Sequence, residues 1–143
     1  MNYRTKGIEL ELYSPTYRYF DLAFGRTVPV DEVKMLLKEY PVQVLDTGYA
    51  IHLQSPGVNK GTALHALALE MQMLPSDFVA IGDSLNDIQV LTTAGIGATV
   101  ANGHKDIKAA AQYVAEKEYG DGFVEVIEKY ESYLRAAKRS TTI

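Results

Sequence analysis

The sequence predicts an α/β fold: a parallel sheet with crossover helices over residues 57–143, preceded by a smaller α+β portion over residues 1–56. Three observations carry this. Throughout the second half, short apolar runs alternate with segments of helical periodicity, and strands alternating with helices imply parallel pairing with right-handed crossovers. The first half shows instead a single helical pattern flanked by strand and hairpin signals. Between the halves, Ser55-Pro56-Gly57 is a turn-rich joint.

In chain order, Ile8, Leu10 and Leu12 alternate with polar residues, the pattern of a strand with one wet face. Tyr17 to Phe24 is a second, weaker strand candidate. A helix is expected from about Asp31 to Tyr40, with Val33, Leu36, Leu37 and Tyr40 on one face and Pro29 just ahead of it. Val42 to Leu45 and Tyr49 to Leu53 read as a hairpin about the Asp46-Thr47-Gly48 turn. Beyond the joint, Leu64, Leu67, Ala68 and Met71 share one face of a helix over Lys60 to Met71. Phe78 to Gly82 is a continuous apolar or small run, which suits a strand covered on both faces. A helix from about Asn86 to Ala94, a strand Gly97 to Val100 and a helix from about Lys105 to Ala111 follow. The pattern closes with a short strand at Tyr113-Val114 and a last helix carrying Phe123, Val126, Ile127, Tyr130 and Leu134 on one stripe.

Composition narrows the function classes. At 143 residues with 47% hydrophobic content, the chain has material for an ordinary core. A net charge of -4 without a basic stripe argues against a nucleic-acid surface, and Lys138-Arg139 reads as a solvated end. No apolar stretch approaches the roughly 20 residues needed to span a bilayer, and Met1 to Lys6 lacks a signal-peptide core. Cysteine is absent, which excludes disulfides and thiolate metal sites and agrees with a cytoplasmic setting.

The richest chemistry lies in Gly82-Asp83-Ser84-Leu85-Asn86-Asp87. Asp83 stands at the carboxyl end of a predicted strand, the edge where open α/β sheets bind ligands. Asp87 follows four residues later, so both carboxylates can face one side of a helix beginning near Ser84. Two hard oxygen donors suit Mg2+, which fills its other positions with water or phosphate oxygens. The same residues also suit a plain helix start, with Asp83 or Ser84 as cap and Asp87 as a favourable acid in the first turn. Lys60 stands at a predicted helix start, where the dipole disfavours a cation. There it either attracts an anion such as phosphate or is a solvated surface charge.

Lys60-Gly61, then a helix, a strand and the Gly82 to Asp87 turn, resembles the third and fourth motifs of the haloacid dehalogenase-like phosphohydrolases. Within that superfamily the flanking stretches Gly48 to Leu53, Val58-Asn59-Lys60-Gly61 and Lys117 to Gly122 look most like the archaeal phosphoglycolate phosphatases and the Cof-type sugar phosphatases. The resemblance runs from about Gly7 to Tyr130. It implies a Rossmann-like parallel sheet, here an incomplete core, with residues 1–56 as part of an α+β cap. By position it implies that Asp83 and Asp87 help hold Mg2+, that Lys60 contacts the phosphoryl group and the nucleophile, and that Asn86 is a polar partner to a carboxylate or to the phosphate. The implied substrate is a small phosphorylated metabolite. Asn102-Gly103-His104 matches the next loop at the same edge, although Asn102 equally suits an Asn-Gly turn.

Phosphatases of this type attack phosphorus with an aspartate of an Asp-x-Asp-Gly-Thr motif, forming an aspartyl-phosphate that water hydrolyses. No Asp-x-Asp occurs among Asp21, Asp31, Asp46, Asp77, Asp83, Asp87, Asp106 and Asp121. The sequence is therefore expected to supply the carboxyl-terminal portion of such an enzyme, with little activity alone. The missing strand would pair beside Phe78 to Ile81, and an open edge there implies a homo-oligomer or a complementing amino-terminal half.

Two other readings stand beside this one. The fold could persist as a non-catalytic binding or assembly module. Asp46-Thr47-Gly48 resembles the Asp-Thr-Gly of aspartic proteases, but those folds are almost wholly β, and a hairpin turn explains the tripeptide. His52 falls on an alternating strand, where it either points into a crevice or is structural; His65 and His104 carry no assigned role.

Overall fold

The computed structural model describes residues 10–14, 16 and 18–137. The expected positions Ile8 and Tyr17, and the Lys138-Arg139 tail, lie outside the described residues. The chain divides into two compact units, one ending at Val58 and the next beginning at Asn59.

The first unit is built on a three-stranded antiparallel sheet in the order β1-β3-β2, formed by β1 (Asp21–Gly25), β2 (Gln43–Asp46) and β3 (Ala50–Gln54). Leu12 bridges Phe24, with Tyr13 N–H donating to Ala23 O and Gly25 N–H to Glu11 O, so the segment before β1 runs antiparallel to it. Helix α1 (Val30–Leu37) begins after Pro29, whose extended backbone suits a helix entrance. It buries Val33 and Leu37 with Phe24 and Ile51. Tyr40 departs from expectation: α1 stops at Leu37, three residues short, and Tyr40 is exposed. The Asp46 to Tyr49 turn joins β2 to β3. Its Asp46 carboxylate accepts Gly48 N–H through Oδ1 and pairs with Arg26 through Oδ2. Both oxygens of the Asp-Thr-Gly aspartate are therefore consumed by hairpin structure.

The second unit is a three-layer α/β arrangement. Its parallel sheet has the order β4-β5-β6, formed by β4 (Val79–Gly82), β5 (Ile96–Thr99) and β6 (Tyr113–Val114), with Gly82 level with Thr99. Side chains alternate across a strand. Ala80 accordingly packs with Leu64, Leu91 and Ile107, while Val79 and Ile81 lie against Ala98, Ala115 and Val126. Helices α2 (Lys60–Glu70), α3 (Ile88–Thr93) and α4 (Lys105–Ala110) thus supply one layer and α5 (Tyr119–Lys129) the other. Among the described residues β4 is an edge strand, paired with β5 alone.

Two helical faces differ from expectation. On α2, Gly61, Leu64 and Ala68 are buried, whereas Leu67 and Met71 are exposed. The helix is covered along a narrow seam against α3, so close that a Cβ on Gly61 would lie 2.8 Å from Gln89 O. The final stripe is also split, because the helix breaks at Tyr130 and restarts as α6 (Glu131–Ala137). Val126 is buried there, but Phe123 is exposed. No helix among the described residues is long and apolar enough to cross a membrane.

Candidate active site

At the carboxyl ends of β4 and β5 the chain opens a crevice of ≈ 370 Å³. Its lining comes from Lys60 at the start of α2, Ile81, Gly82, Asp83 and Asp87 at and after β4, Val100 after β5, and Tyr119, Gly120 and Phe123 at the start of α5. Three of the four residues singled out from the sequence, Lys60, Asp83 and Asp87, are therefore brought together.

Each is positioned by local structure. Asn59 caps α2: its Oδ1 accepts Thr62 N–H at 3.0 Å and its own N–H donates to Thr62 Oγ1 at 3.0 Å. Lys60 is then the first helical residue, with no acid in that turn, and its Nζ pairs instead with Asp87 Oδ1. The lysine side chain is half-exposed while that of Asp87 is 9% exposed, so the pair is open to solvent on the cationic side only. Asp87 closes the single helical turn Leu85–Asp87 ahead of α3. Its Oδ2 accepts the amides of Asp83 and Ser84 at 3.2 and 3.1 Å. Gly82 makes this fold-back possible, since a Cβ there would collide with the Asp87 side chain. The Asp83 carboxylate is exposed, with Oδ1 accepting Ser84 Oγ at 2.9 Å. The loops after β4 and β5 are tied by His104 N–H donating to Asp83 O at 2.9 Å.

The donor set fits Mg2+ in kind, since both carboxylates are hard oxygen ligands. Their availability differs. Asp83 presents a carboxylate toward open space, whereas both oxygens of Asp87 already serve Lys60 and backbone amides. No group of three or more His, Cys, Asp or Glu residues close enough to hold a metal occurs among the described residues. The chain thus fits an open site with Asp83 as the exposed donor, not a closed cage.

Other candidates are placed elsewhere. Asn86 does not line the crevice; its Oδ1 is shut off from solvent and has no hydrogen-bond partner among the described residues. Asn102 does not line it either, but its Oδ1 accepts Tyr119 N–H at 2.7 Å across 17 residues. His104 caps α4 by accepting Asp106 N–H at 3.2 Å. His52 Nδ1 lies 2.9 Å from Asp21 Oδ2, an oxygen that Arg18 also reaches at 2.7 Å. Burial pulls the Asp21 carboxyl up, but its hydrogen bonds with His52 and Arg18 outweigh this and set it below its ordinary value.

Sequence reasoning missed Tyr119 and Phe123 as crevice residues. No cap marks the start of α5, since the side chain of Glu118 makes no capping bond. Phe123 falls on the apolar stripe and reads as core. Tyr119 adopts φ +49°, a left-handed conformation that is an outlier for a bulky residue and that no pattern announces.

A family model described as haloacid dehalogenase-like hydrolase matches residues 30–127. A phosphoglycolate phosphatase of Methanoculleus marisnigri is 54% identical over 131 residues, covering 90% of this chain and 56% of the relative. One of Methanospirillum hungatei is 44% identical over 134 residues, covering 94% and 58%. The chain therefore spans a little over half the length of these curated relatives. Among solved structures, Thermoplasma acidophilum 0175 superposes with a TM-score of 0.76 at 24% identity over 90% of this chain and 58% of that one. The sucrose-phosphatase of Synechocystis superposes with 0.69 at 26% identity over 89% and 59%. With the family model spanning both the hairpin of the first unit and the crevice of the second, the chain belongs to the haloacid dehalogenase-like hydrolases.

Proposed function

We propose that this chain supplies the lysine and carboxylate half of a Mg2+-dependent phosphomonoester hydrolase, with phosphoglycolate as substrate. The observation that carries the reading is the convergence of Lys60, Asp83 and Asp87 at the carboxyl edge of a parallel sheet. The substrate is suggested by the names of relatives up to 54% identical.

In this reading the phosphoryl group enters the crevice beside Lys60, whose half-exposed ammonium offsets charge on its oxygens. Asp87 keeps that ammonium aimed at the crevice mouth, and its grip on the Asp83 and Ser84 amides holds the loop in register. Asp83, with Asp87 beside it, would hold the magnesium ion, which would neutralise phosphate charge. Asn86, next in the same loop, keeps a buried amide oxygen free to accept one further bond. The aspartate that attacks phosphorus is not among these 143 residues, for no Asp-x-Asp occurs in them. Its strand pairs along the free edge of β4, and residues up to Val58 belong to a cap that shapes specificity.

The test is hydrolysis of phosphoglycolate with Mg2+ by this chain alone and by this chain mixed with a polypeptide bearing the Asp-x-Asp strand. Activity is expected only in the mixture and is lost with Lys60→Ala. Full turnover by the chain alone overturns the assignment of the nucleophile to another segment. No turnover in either case turns the reading toward a binding module.

A further inference from the structure

The charged groups account for only part of the crevice. Val100, Tyr119, Gly120 and Phe123 complete its lining, and two of these are large aromatics left in water, Tyr119 at 70% and Phe123 at 50% exposure. Within this chain neither is a core residue, since α5 buries Gly122 and Val126 instead. Tyr119 also holds φ +49°, which glycine would accept without strain. The conformation is retained by a specific bond, from Tyr119 N–H to Asn102 Oδ1 at 2.7 Å. Beside it Gly120 leaves open space, with no atom within 4 Å of where a Cβ would stand.

We infer that Tyr119, together with Phe123, contacts the organic portion of the phosphate ester and so determines specificity, with Asn102 as the residue that positions it. This rests on the phosphatase reading above. A neutral phenol cannot offset phosphoryl charge as Lys60 does. It offers one donor, one acceptor and an apolar face, which match the carboxylate or hydroxyl of a short phosphorylated acid or alcohol and the carbons beside it. Specificity then comes partly from the second unit itself.

The experiment is an amide chemical-shift titration of the full 143-residue chain with Mg2+, using inorganic phosphate and phosphoglycolate as separate probes. Wild type is expected to bind phosphoglycolate more tightly than phosphate. Tyr119→Gly is expected to lower that ratio about tenfold, the scale of a lost hydrogen bond and packing contact. Tyr119→Phe should lower it by less, and Asn102→Ala should lower it with Tyr119 still present. An unaltered ratio in Tyr119→Gly, with phosphate still shifting the Lys60 and Asp83 amides, overturns the inference and leaves the phosphatase reading standing. Equal weakening toward both probes also overturns it, since that marks a merely structural residue. If phosphate moves neither amide in a folded chain, the phosphatase reading falls and this inference with it.

Discussion

Lys60 and Asp87, separated by 27 residues in sequence, form an ion pair in which the lysine is half-exposed and the aspartate nearly buried. The asymmetry decides what the pair does. The second oxygen of Asp87 is committed to the amides of Asp83 and Ser84, so the carboxylate fastens the start of α2 to the loop after β4. The lysine keeps a solvent-facing side from which it can meet an anion.

Removing either partner should therefore have unequal costs. Lys60→Ala leaves Asp87 with its two amide bonds and is expected to cost no more than about 1 kcal/mol, the range of a partly exposed pair. Asp87→Ala strips the amides of Asp83 and Ser84 of their acceptor as well, and is expected to cost about 1.5–3 kcal/mol. Urea denaturation of the two variants checks this. Equal losses would show that the amide bonds contribute nothing beyond the ion pair.

Gly82→Ala probes the same junction from below. A Cβ at Gly82 would overlap the Asp87 side chain, so either the strand end or the carboxylate must move. Overpacking of this kind costs about 1–3 kcal/mol, and the displaced carboxylate should loosen its hold on Lys60. The variant is expected to melt earlier and to shift the Lys60 amide resonance. A melting temperature and a Lys60 resonance both equal to wild type would refute the close approach.

Much of this arrangement was legible because its signals are local. The run Phe78 to Gly82 reads as a strand from its continuous apolarity, and Lys60 is conspicuous as a cation at a helix start. The double use of Asp87 was not legible, since a four-residue spacing serves a metal pair and a helix-start fold-back equally well. Helical periodicity marks which residues share a face but not how wide a seam the neighbour covers. Leu67 and Met71 are exposed for that reason, while Gly61, Leu64 and Ala68 make the contact. The break at Tyr130 escaped notice because the apolar stripe continues across it into α6. Tyr119 escaped because its place depends on an acceptor 17 residues away.

In the first unit, Asp21 sets a pH dependence. Burial acts to raise its carboxyl, but the hydrogen bonds with His52 and Arg18 prevail and lower it from 3.8. A lowered carboxyl contributes stability that is fully present above the unfolded value and is lost as pH falls through the folded one. The stability difference between wild type and Asp21→Asn should thus narrow as pH falls below 3.8. Amide exchange in β1 and β3 measures it. A difference that does not narrow would show that Asp21 does not titrate against these partners.

The segment leading to Tyr119 is held by a second carboxylate. Glu125 accepts Tyr113 O–H at 2.6 Å and the amides of Glu116 and Lys117 at 2.9 and 3.0 Å. Its hydrogen bond with Tyr113 is the chief cause that pushes the phenol up from 10.0 to about 12, and the same bond holds Glu125 below its usual range. A raised phenol contributes stability that is complete below the unfolded value of 10.0 and disappears as pH rises through about 12. In a phenolate absorbance titration the Tyr113 phenol should ionise late, and Glu125→Gln should return it toward 10.0. Because Lys117 O also accepts Ala101 N–H at 2.9 Å beside the crevice, losing the Glu125 anchor should broaden the Tyr119 amide resonance. A late-titrating phenol that persists in Glu125→Gln would assign the shift to another neighbour.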